Sequence, residues 1–304
     1  MWFLLSLITI FFWGGSDLFS KIGSNPEDRY SHWKIVTAVG AVMGIHATVS
    51  ILTGTDFHTA DFIKYLPATA LYISSMILGY IGLRYIMLSV SSPICNSSGA
   101  IACVLCLVFL RQMPSVLSWI GVVLITAGVV GLAVVEKQTD DQIRRLAGVP
   151  VNKKYKSGFI AVFFPIFYCI LDGLGTFADA LLLDSGIVNE GSANIAYEYT
   201  FCFLGVAAFI YVYLIRRQKL CFKFDAPKLA GALCETAGQF SYIYAIGDKV
   251  GNPTVAAPMI SAYCVFSVFL SRIFLKEKLS AKHKAVIAVV FIGIILMGIA
   301  ENIT

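Results

Sequence analysis

The sequence predicts an all-α integral membrane protein whose ten transmembrane helices form two inverted five-helix repeats. Three observations carry that expectation: a composition too apolar for water, ten charge-poor runs of bilayer length, and a lopsided distribution of cations between the runs.

The chain is 58% hydrophobic and 13% charged, with mean hydropathy +0.80. A soluble domain is about half apolar and a quarter charged. Charges fall in narrow bands between apolar runs of about 20 residues, the length a hydrocarbon core demands of a helix. The runs lie near 2–21, 32–53, 62–83, 91–110, 115–135, 157–183, 193–215, 228–247, 253–275 and 283–301. Backbone groups in hydrocarbon must be satisfied within the segment, and these runs are too long and uniformly apolar for barrel strands, so helices remain. The opening MWFLLSLITIFFWGG lacks the basic start and small-residue cleavage site of a signal peptide, so it is expected to stay as the first helix. Gly40 with Gly44, and Gly121 with Gly128 and Gly131, place small residues where helices can approach closely.

Cations are retained on the cytoplasmic side of a bilayer. Of the 23 Lys and Arg residues, all but Lys64, Arg111 and Lys249 fall nearest the odd-numbered junctions between spans. That places the odd junctions in the cytoplasm and both termini outside, in a bacterial-type plasma membrane. Residues 1–136 form the first repeat, 137–156 a cytoplasmic linker and 157–304 the second repeat. Five helices before the linker make the second half enter the membrane in the opposite sense, as in many secondary transporters.

The segment FFWGGSDLFSK, Phe11 to Lys21, and the ending FLKEKLSAKHKAVIAVVFIGIILMGIA, with Glu277 after the ninth span, resemble the drug/metabolite transporter superfamily. The branch resembled is the ten-helix EamA type, with a Trp-Gly pair in the first helix and a Glu-containing turn before the last. Two departures stand out: Arg111-Gln112-Met113-Pro114 occupies the place of the first-half Glu turn, and Cys169 lies near where a Trp would recur. The resemblance implies helices one to four and six to nine around a central cavity, with five and ten outside.

Ionisable groups inside the spans are the informative residues, since an Asp at a helix centre costs roughly 2.5–3.5 kcal/mol on insertion scales unless it faces a cavity or partner. Asp17, Asp172, Glu198 and Glu235 stand out. Trp13 and Asp17 are one turn apart; Tyr168, Asp172, Thr176 and Asp179 share a face; so do Asn194 and Glu198, and Glu235, Gln239 and Tyr242. No Lys or Arg lies equally deep, so the carboxyls are protonated, hydrogen-bonded, wet or met by a cation from outside. Asp17 has a plainer alternative in Lys21, four residues on, and Asp179 and Glu198 are expected near the outer surface. Candidate substrate or coupling residues are therefore Trp13, Asp17, Tyr168, Asp172, Glu198, Glu235, Gln239 and Tyr242. Acidic and aromatic walls suit an organic cation by charge and cation–π attraction, and they suit proton exchange. Pro93 is expected to begin its helix, Pro258 to act as a hinge, and the polar run Ser89 to Ser98 to bring Asn96 within reach of a ligand.

Several functions lack their signals. Seven of eight cysteines lie inside apolar spans as small hydrophobes, the exception being Cys221. His32, His46, His58 and His283 are scattered, with no HExxH, GxSxG, P-loop or dinucleotide fingerprint. Neither enzyme, metal, cofactor nor nucleic-acid partner is expected. The expected function is secondary transport of a small organic metabolite by alternating access, with an amine or quaternary ammonium compound and protons as candidates, in a monomer or weak dimer. Alternatives are export of amino acids or other neutral metabolites and, in another class, a membrane-embedded enzyme acting on lipid. A reporter that fluoresces only in the cytoplasm, fused after Thr304, should stay dark; a bright fusion contradicts the orientation.

Overall fold

The computed structural model describes residues 1–25, 27–85, 88–146, 159–248, 253–275 and 280–303. Glu277, Lys249 and half of the expected linker, 147–156, lie outside the described residues. Within them every regular element is a helix. In chain order these are α1 (Trp2–Gly23), α2 (Ser31–Leu52), α3 (Thr59–Gly82), α4 (Leu88–Asn96), α5 (Ser98–Leu105), α6 (Val116–Leu146), α7 (Phe159–Asp184), α8 (Glu190–Phe209), α9 (Phe222–Gly247), α10 (Pro253–Ser261), α11 (Tyr263–Leu275) and α12 (Ala281–Ile303). Wider π-helical turns, Cys106–Leu110 and Ile210–Ile215, finish α5 and α8. The fourth expected span is α4 with α5, the ninth is α10 with α11, and α6 runs past the expected end of its span into the linker sequence.

Nine of the described spans are long and apolar enough to cross a membrane. The eighth span, α9, falls short, because polar residues such as Glu235, Thr236, Gln239 and Ser241 lower the hydropathy of its apolar stretch. It nevertheless packs along α1 more extensively than any other pair of helices packs. Large apolar side chains such as Leu4, Phe11, Ile45, Phe109, Phe203 and Ile295 are exposed on the outside of the bundle. Such a continuous apolar surface is tolerated by lipid and not by water.

Helix pairing reveals the relation between the halves. The extensive pairs are α1 with α9, α2 with α8, α3 with α7 and α6 with α12, while α4 and α5 pack against α10 and α11. Counted as spans, these are one with eight, two with seven, three with six, five with ten and four with nine. Exchanging the halves turns this set into itself, as a two-fold relation requires.

Of the three pairs that map onto themselves, two–seven and five–ten cross with glycine backbone against glycine backbone. A Cβ on Gly40 would lie 2.6 Å from the Phe201 carbonyl oxygen and 2.8 Å from the Gly205 Cα, and one on Gly205 would lie 2.9 Å from the Gly40 Cα. On α6 and α12, a Cβ on Gly293 would meet the Gly121 carbonyl at 3.0 Å, and one on Gly121 the Gly293 carbonyl at 3.1 Å. Where helices associate in lipid, such backbone approach supplies the dispersion contact that replaces a hydrophobic driving force.

Spans four and nine break at matching places. Ser97 separates α4 from α5 and Ala262 separates α10 from α11, each four residues after a proline, Pro93 or Pro258. The backbone tightens identically: Ser97 N–H bonds Ile94 O and Ala100 N–H bonds Ser97 O, while Ala262 N–H bonds Met259 O and Val265 N–H bonds Ala262 O. Proline deletes one ladder bond and crowds the carbonyl four residues back, and side chains compensate. Ser97 Oγ donates to Pro93 O at 3.1 Å, Asn96 Nδ2 to Ser92 O at 2.9 Å and Ser261 Oγ to Ala257 O at 3.0 Å. Pro93 therefore sits inside α4 rather than at the start of a helix, and the polar run Ser89 to Ser98 serves a broken helix. The ninth span is also the most enclosed, with 83% of it buried against 28–44% for the other apolar spans.

Gly40→Ala should destabilise the protein by about 1–3 kcal/mol, because backbone cannot yield as a side chain can. Gly131→Ala should be nearly silent, its nearest neighbours being Val286 methyls at 3.6 Å. Equal melting temperatures for the two variants in detergent contradict the Gly40 crossing.

Candidate functional site

Between the halves lies a chamber with a cavity volume of about 70 Å³, room for several waters or a small organic group. Its wall takes Trp13, Ser16 and Asp17 from α1, Tyr72, Met76 and Tyr80 from α3, Ser92 and Cys95 from α4, Tyr168 and Asp172 from α7, Tyr197 from α8, Glu235 and Gln239 from α9, and Tyr263 from α11. It extends toward the end of the bundle that bears the linker, where Ser20, Leu83 and Leu88 complete it. Spans five and ten, α6 and α12, pair with each other and contribute nothing to this wall, as the resemblance implied. Span two, α2, contributes nothing either, contrary to that implication, because its inner face is taken up by α8.

Three carboxyls face the chamber, and each is held by hydroxyls. Ser92 Oγ and Ser267 Oγ donate to Asp17 Oδ2 at 2.6 and 2.8 Å, Ser98 Oγ to Asp172 Oδ2 at 2.7 Å, and Ser16 Oγ to Glu235 Oε2 at 2.7 Å. Lys21 does not pair with Asp17; it donates to the Leu83 carbonyl at 2.7 Å. Among the described residues no Lys or Arg lines the chamber. The two aspartates are related by the exchange of halves: Asp17 in span one reaches Ser267 in span nine, and Asp172 in span six reaches Ser98 in span four.

Trp13 stacks beside Tyr242 with centroids 5.0 Å apart and meets Tyr263 edge-on at 5.6 Å. The indole can lie there because residue 238 is glycine: a Cβ on Gly238 would stand 2.4 Å from Trp13 Cδ1. Trp13 Nε1, Tyr80 Oη and Gln239 Nε2 are buried with no hydrogen-bond partner. Leaving such donors unsatisfied costs about 1–3 kcal/mol each, so a ligand with acceptor oxygens has something to gain there.

Six of the eight sequence-derived candidates, Trp13, Asp17, Tyr168, Asp172, Glu235 and Gln239, line this chamber. The other two lie elsewhere. Tyr242 is 2% exposed and lines a narrower cavity of about 20 Å³ beside the chamber, together with Asp172, Thr176, Asn96 and Ser98. Glu198 is fully buried and faces His46 Nδ1, 2.8 Å from either carboxylate oxygen. The sequence expectation of a solvated Glu198 near the outer surface fails, since α2 and α8 cross closely enough to bury its carboxyl while His46 stays 34% exposed. Asp179 is also fully buried rather than solvated, among Tyr65, Tyr72 and Tyr242.

Sequence reasoning left Asp179 and Tyr72 out of the candidate residues, and Tyr80 and Tyr263 with them. Asp179 had a signal, since it shares one helix face with Tyr168, Asp172 and Thr176. The tyrosines on spans three and nine gave none, being indistinguishable in sequence from interfacial tyrosines.

Two comparisons with known proteins bear on the chain. The EamA-like transporter family matches residues 1–134 and 186–299. A solved structure, described only as the crystal structure of a protein, matches 99% of this chain and 97% of its own, with a TM-score of 0.64 at 13% identity; that likeness speaks to the fold alone. No curated protein matches.

Removing the partly exposed His46 ring strands the buried Glu198 carboxyl without its partner. His46→Leu should therefore cost about 1–3 kcal/mol of stability, read as a lower melting temperature, and the added change Glu198→Leu should restore most of it. A His46→Leu protein as stable as the wild type contradicts a structural role for the pair.

Proposed function

Because the chain belongs to the EamA-like transporter family, whose members are transporters and not enzymes, we propose that it is a secondary transporter for a small organic cation. The observation that carries the reading is the chamber wall: Asp17, Asp172 and Glu235 among Trp13, Tyr80, Tyr168 and Tyr263, with no Lys or Arg among its described residues. Three carboxyls held by neutral hydroxyls favour a positive guest, and aromatic faces add cation–π attraction of about 0.5–2 kcal/mol. The site lies between the two halves, where rocking one against the other exposes it to each side in turn. Broken spans four and nine, flanking the chamber, are the elements that can bend. The bilayer is the plasma membrane, with the linker in the cytoplasm and both termini outside, and a proton is the natural counter-ion for a carboxylate-lined site.

A second reading, a zwitterion such as an amino acid, draws on the unpartnered donors of Trp13, Tyr80 and Gln239. Glu235 and Gln239 are one helical turn apart, so ammonium and acceptor oxygen could be read by neighbouring positions.

A thermal-shift screen of the purified full chain should include quaternary ammonium compounds, primary amines, amino acids and nucleosides. A ligand at about 100 times its dissociation constant adds about 2.7 kcal/mol of stability. Cations should raise the melting temperature of the wild type and lose that effect in Glu235→Gln and Asp172→Asn. Stabilisation by neutral or anionic metabolites alone contradicts the cation reading.

A further inference from the structure

We propose that Asp179 carries a proton and exchanges it with Asp172 along a chain of hydroxyls that runs beside the substrate chamber. The inference rests on the transport reading and deepens it by naming the coupling ion and the residue that holds it.

Asp179 is 0% exposed. The titratable groups packed around it are Tyr65 and Tyr72 on α3, Tyr242 on α9, Tyr197 on α8 behind Tyr72, and Asp172 two turns earlier on α7. None of these is a Lys, Arg or His. A carboxylate so enclosed, with no cation beside it, is among the most costly arrangements a fold can hold, and a protonated carboxyl removes that cost.

The surrounding hydroxyls can receive that proton. Thr176 Oγ1, Tyr72 Oη, Tyr242 Oη and Asp179 Oδ2 form an unbroken chain of three links: Tyr72 and Thr176 lie 2.9 Å apart, Tyr72 and Tyr242 are in direct hydroxyl contact, and Tyr242 Oη lies 3.0 Å from Asp179 Oδ2. Each hydroxyl has one hydrogen, so the chain has two complete arrangements. With Asp179 ionised, Thr176 donates to Tyr72, Tyr72 to Tyr242 and Tyr242 to Oδ2; with Asp179 protonated, Oδ2 donates to Tyr242, Tyr242 to Tyr72 and Tyr72 to Thr176. Tyr65 donates to Oδ1 in both, so the acid proton is carried on Oδ2.

The same chain is a path. Asp179 gives its proton to Tyr242 as Tyr242 passes its own to Tyr72, Tyr72 to Thr176, and Thr176 releases its hydroxyl hydrogen into the cavity of about 20 Å³ that Asp172 also lines. That volume accepts one water, which hands the proton to Asp172. Each hydroxyl ends neutral, Asp179 ends as carboxylate and Asp172 as carboxylic acid; the reverse sequence restores the start. Asp172 and Tyr72 line the main chamber as well, so a proton arriving at Asp172 removes one of the three charges available to a bound cation. On the other side, beyond Ala180, lies a vestibule of about 380 Å³ bordered by Asp184, Glu190 and Asp248. Asp179 therefore stands between the chamber and the end of the bundle opposite the linker.

Infrared pH titration of the purified full chain, without any substrate, reads this directly. At neutral pH the wild type should show a protonated-carboxyl stretching band that Asp179→Asn removes and Glu235→Gln leaves; a band unchanged by Asp179→Asn overturns the assignment. Should Asp179→Asn fail to fold, Tyr242→Phe deletes the hydroxyl that accepts from the acid and should move the band, and an unmoved band overturns it equally. After an upward pH jump, Tyr72→Phe should slow loss of the band by about 100-fold, the value of a positioned proton-transfer group, while an unchanged rate overturns the path. A cation screen that finds no ligand while the band behaves as described leaves the proton site standing and removes only the substrate reading. Cation binding with no Asp179 band removes only the proton site.

Discussion

Three carboxyls meet at the seam between the two halves with serine hydroxyls for partners and no cation among the described residues of the chamber wall. Each would cost several kcal/mol in hydrocarbon if left bare. Serine donors lower that cost without cancelling the charge, and a wall built this way keeps an electrostatic demand that a passing cation can meet. A lysine in place of any of the serines would be the more stable solution and would abolish that demand. Polar positions on spans one, four and nine follow from this: Ser16, Ser92, Ser98 and Ser267 hold Asp17, Asp172 and Glu235 at this depth.

Placing those groups depends on the two-fold relation between halves. Glycine crossings at Gly40 with Gly205 and at Gly121 with Gly293 draw two self-related helix pairs together, which fixes the frame. Proline breaks after Pro93 and Pro258 then loosen the two spans that border the chamber. Rigid crossings and bendable spans are thus assigned to different helices, as alternating exposure of one site requires. The departures from symmetry fall at the site, where Tyr168 takes in the second half the place of Trp13 in the first and where only the second half carries Asp179.

Architecture was largely legible in the sequence because bilayer physics acts on composition: apolar length gives the spans and Lys and Arg placement divides them into halves. Glycine spacing pointed to the close crossings. What could not be read was which faces turn inward on helices that are apolar all round. Glu198 looked like Glu235 in sequence, a carboxyl on a polar face, yet its partner His46 lies 152 residues away. Asp179 looked superficial because it lies late in its helix, and only the convergence of tyrosines from α3 and α9 encloses it. Pro93 looked like a helix start because the break it causes is visible only when α4 and α5 are seen as one span. Long-range partners decide such cases, and no local pattern encodes them.

A native thiol offers the most direct test of the chamber's electrostatics. Cys95 is 6% exposed and lines the chamber beside Ser92. In a protein retaining Cys95 as its single cysteine, a cationic methanethiosulfonate reagent should react faster than an anionic one of similar size. The ratio should be about 10-fold or more at low salt, as expected for a field focused in a cleft of one sign. Asp17→Asn with Glu235→Gln should bring it toward unity. Equal rates in the starting protein, or a preference for the anionic reagent, would contradict the account of the chamber as a cation site.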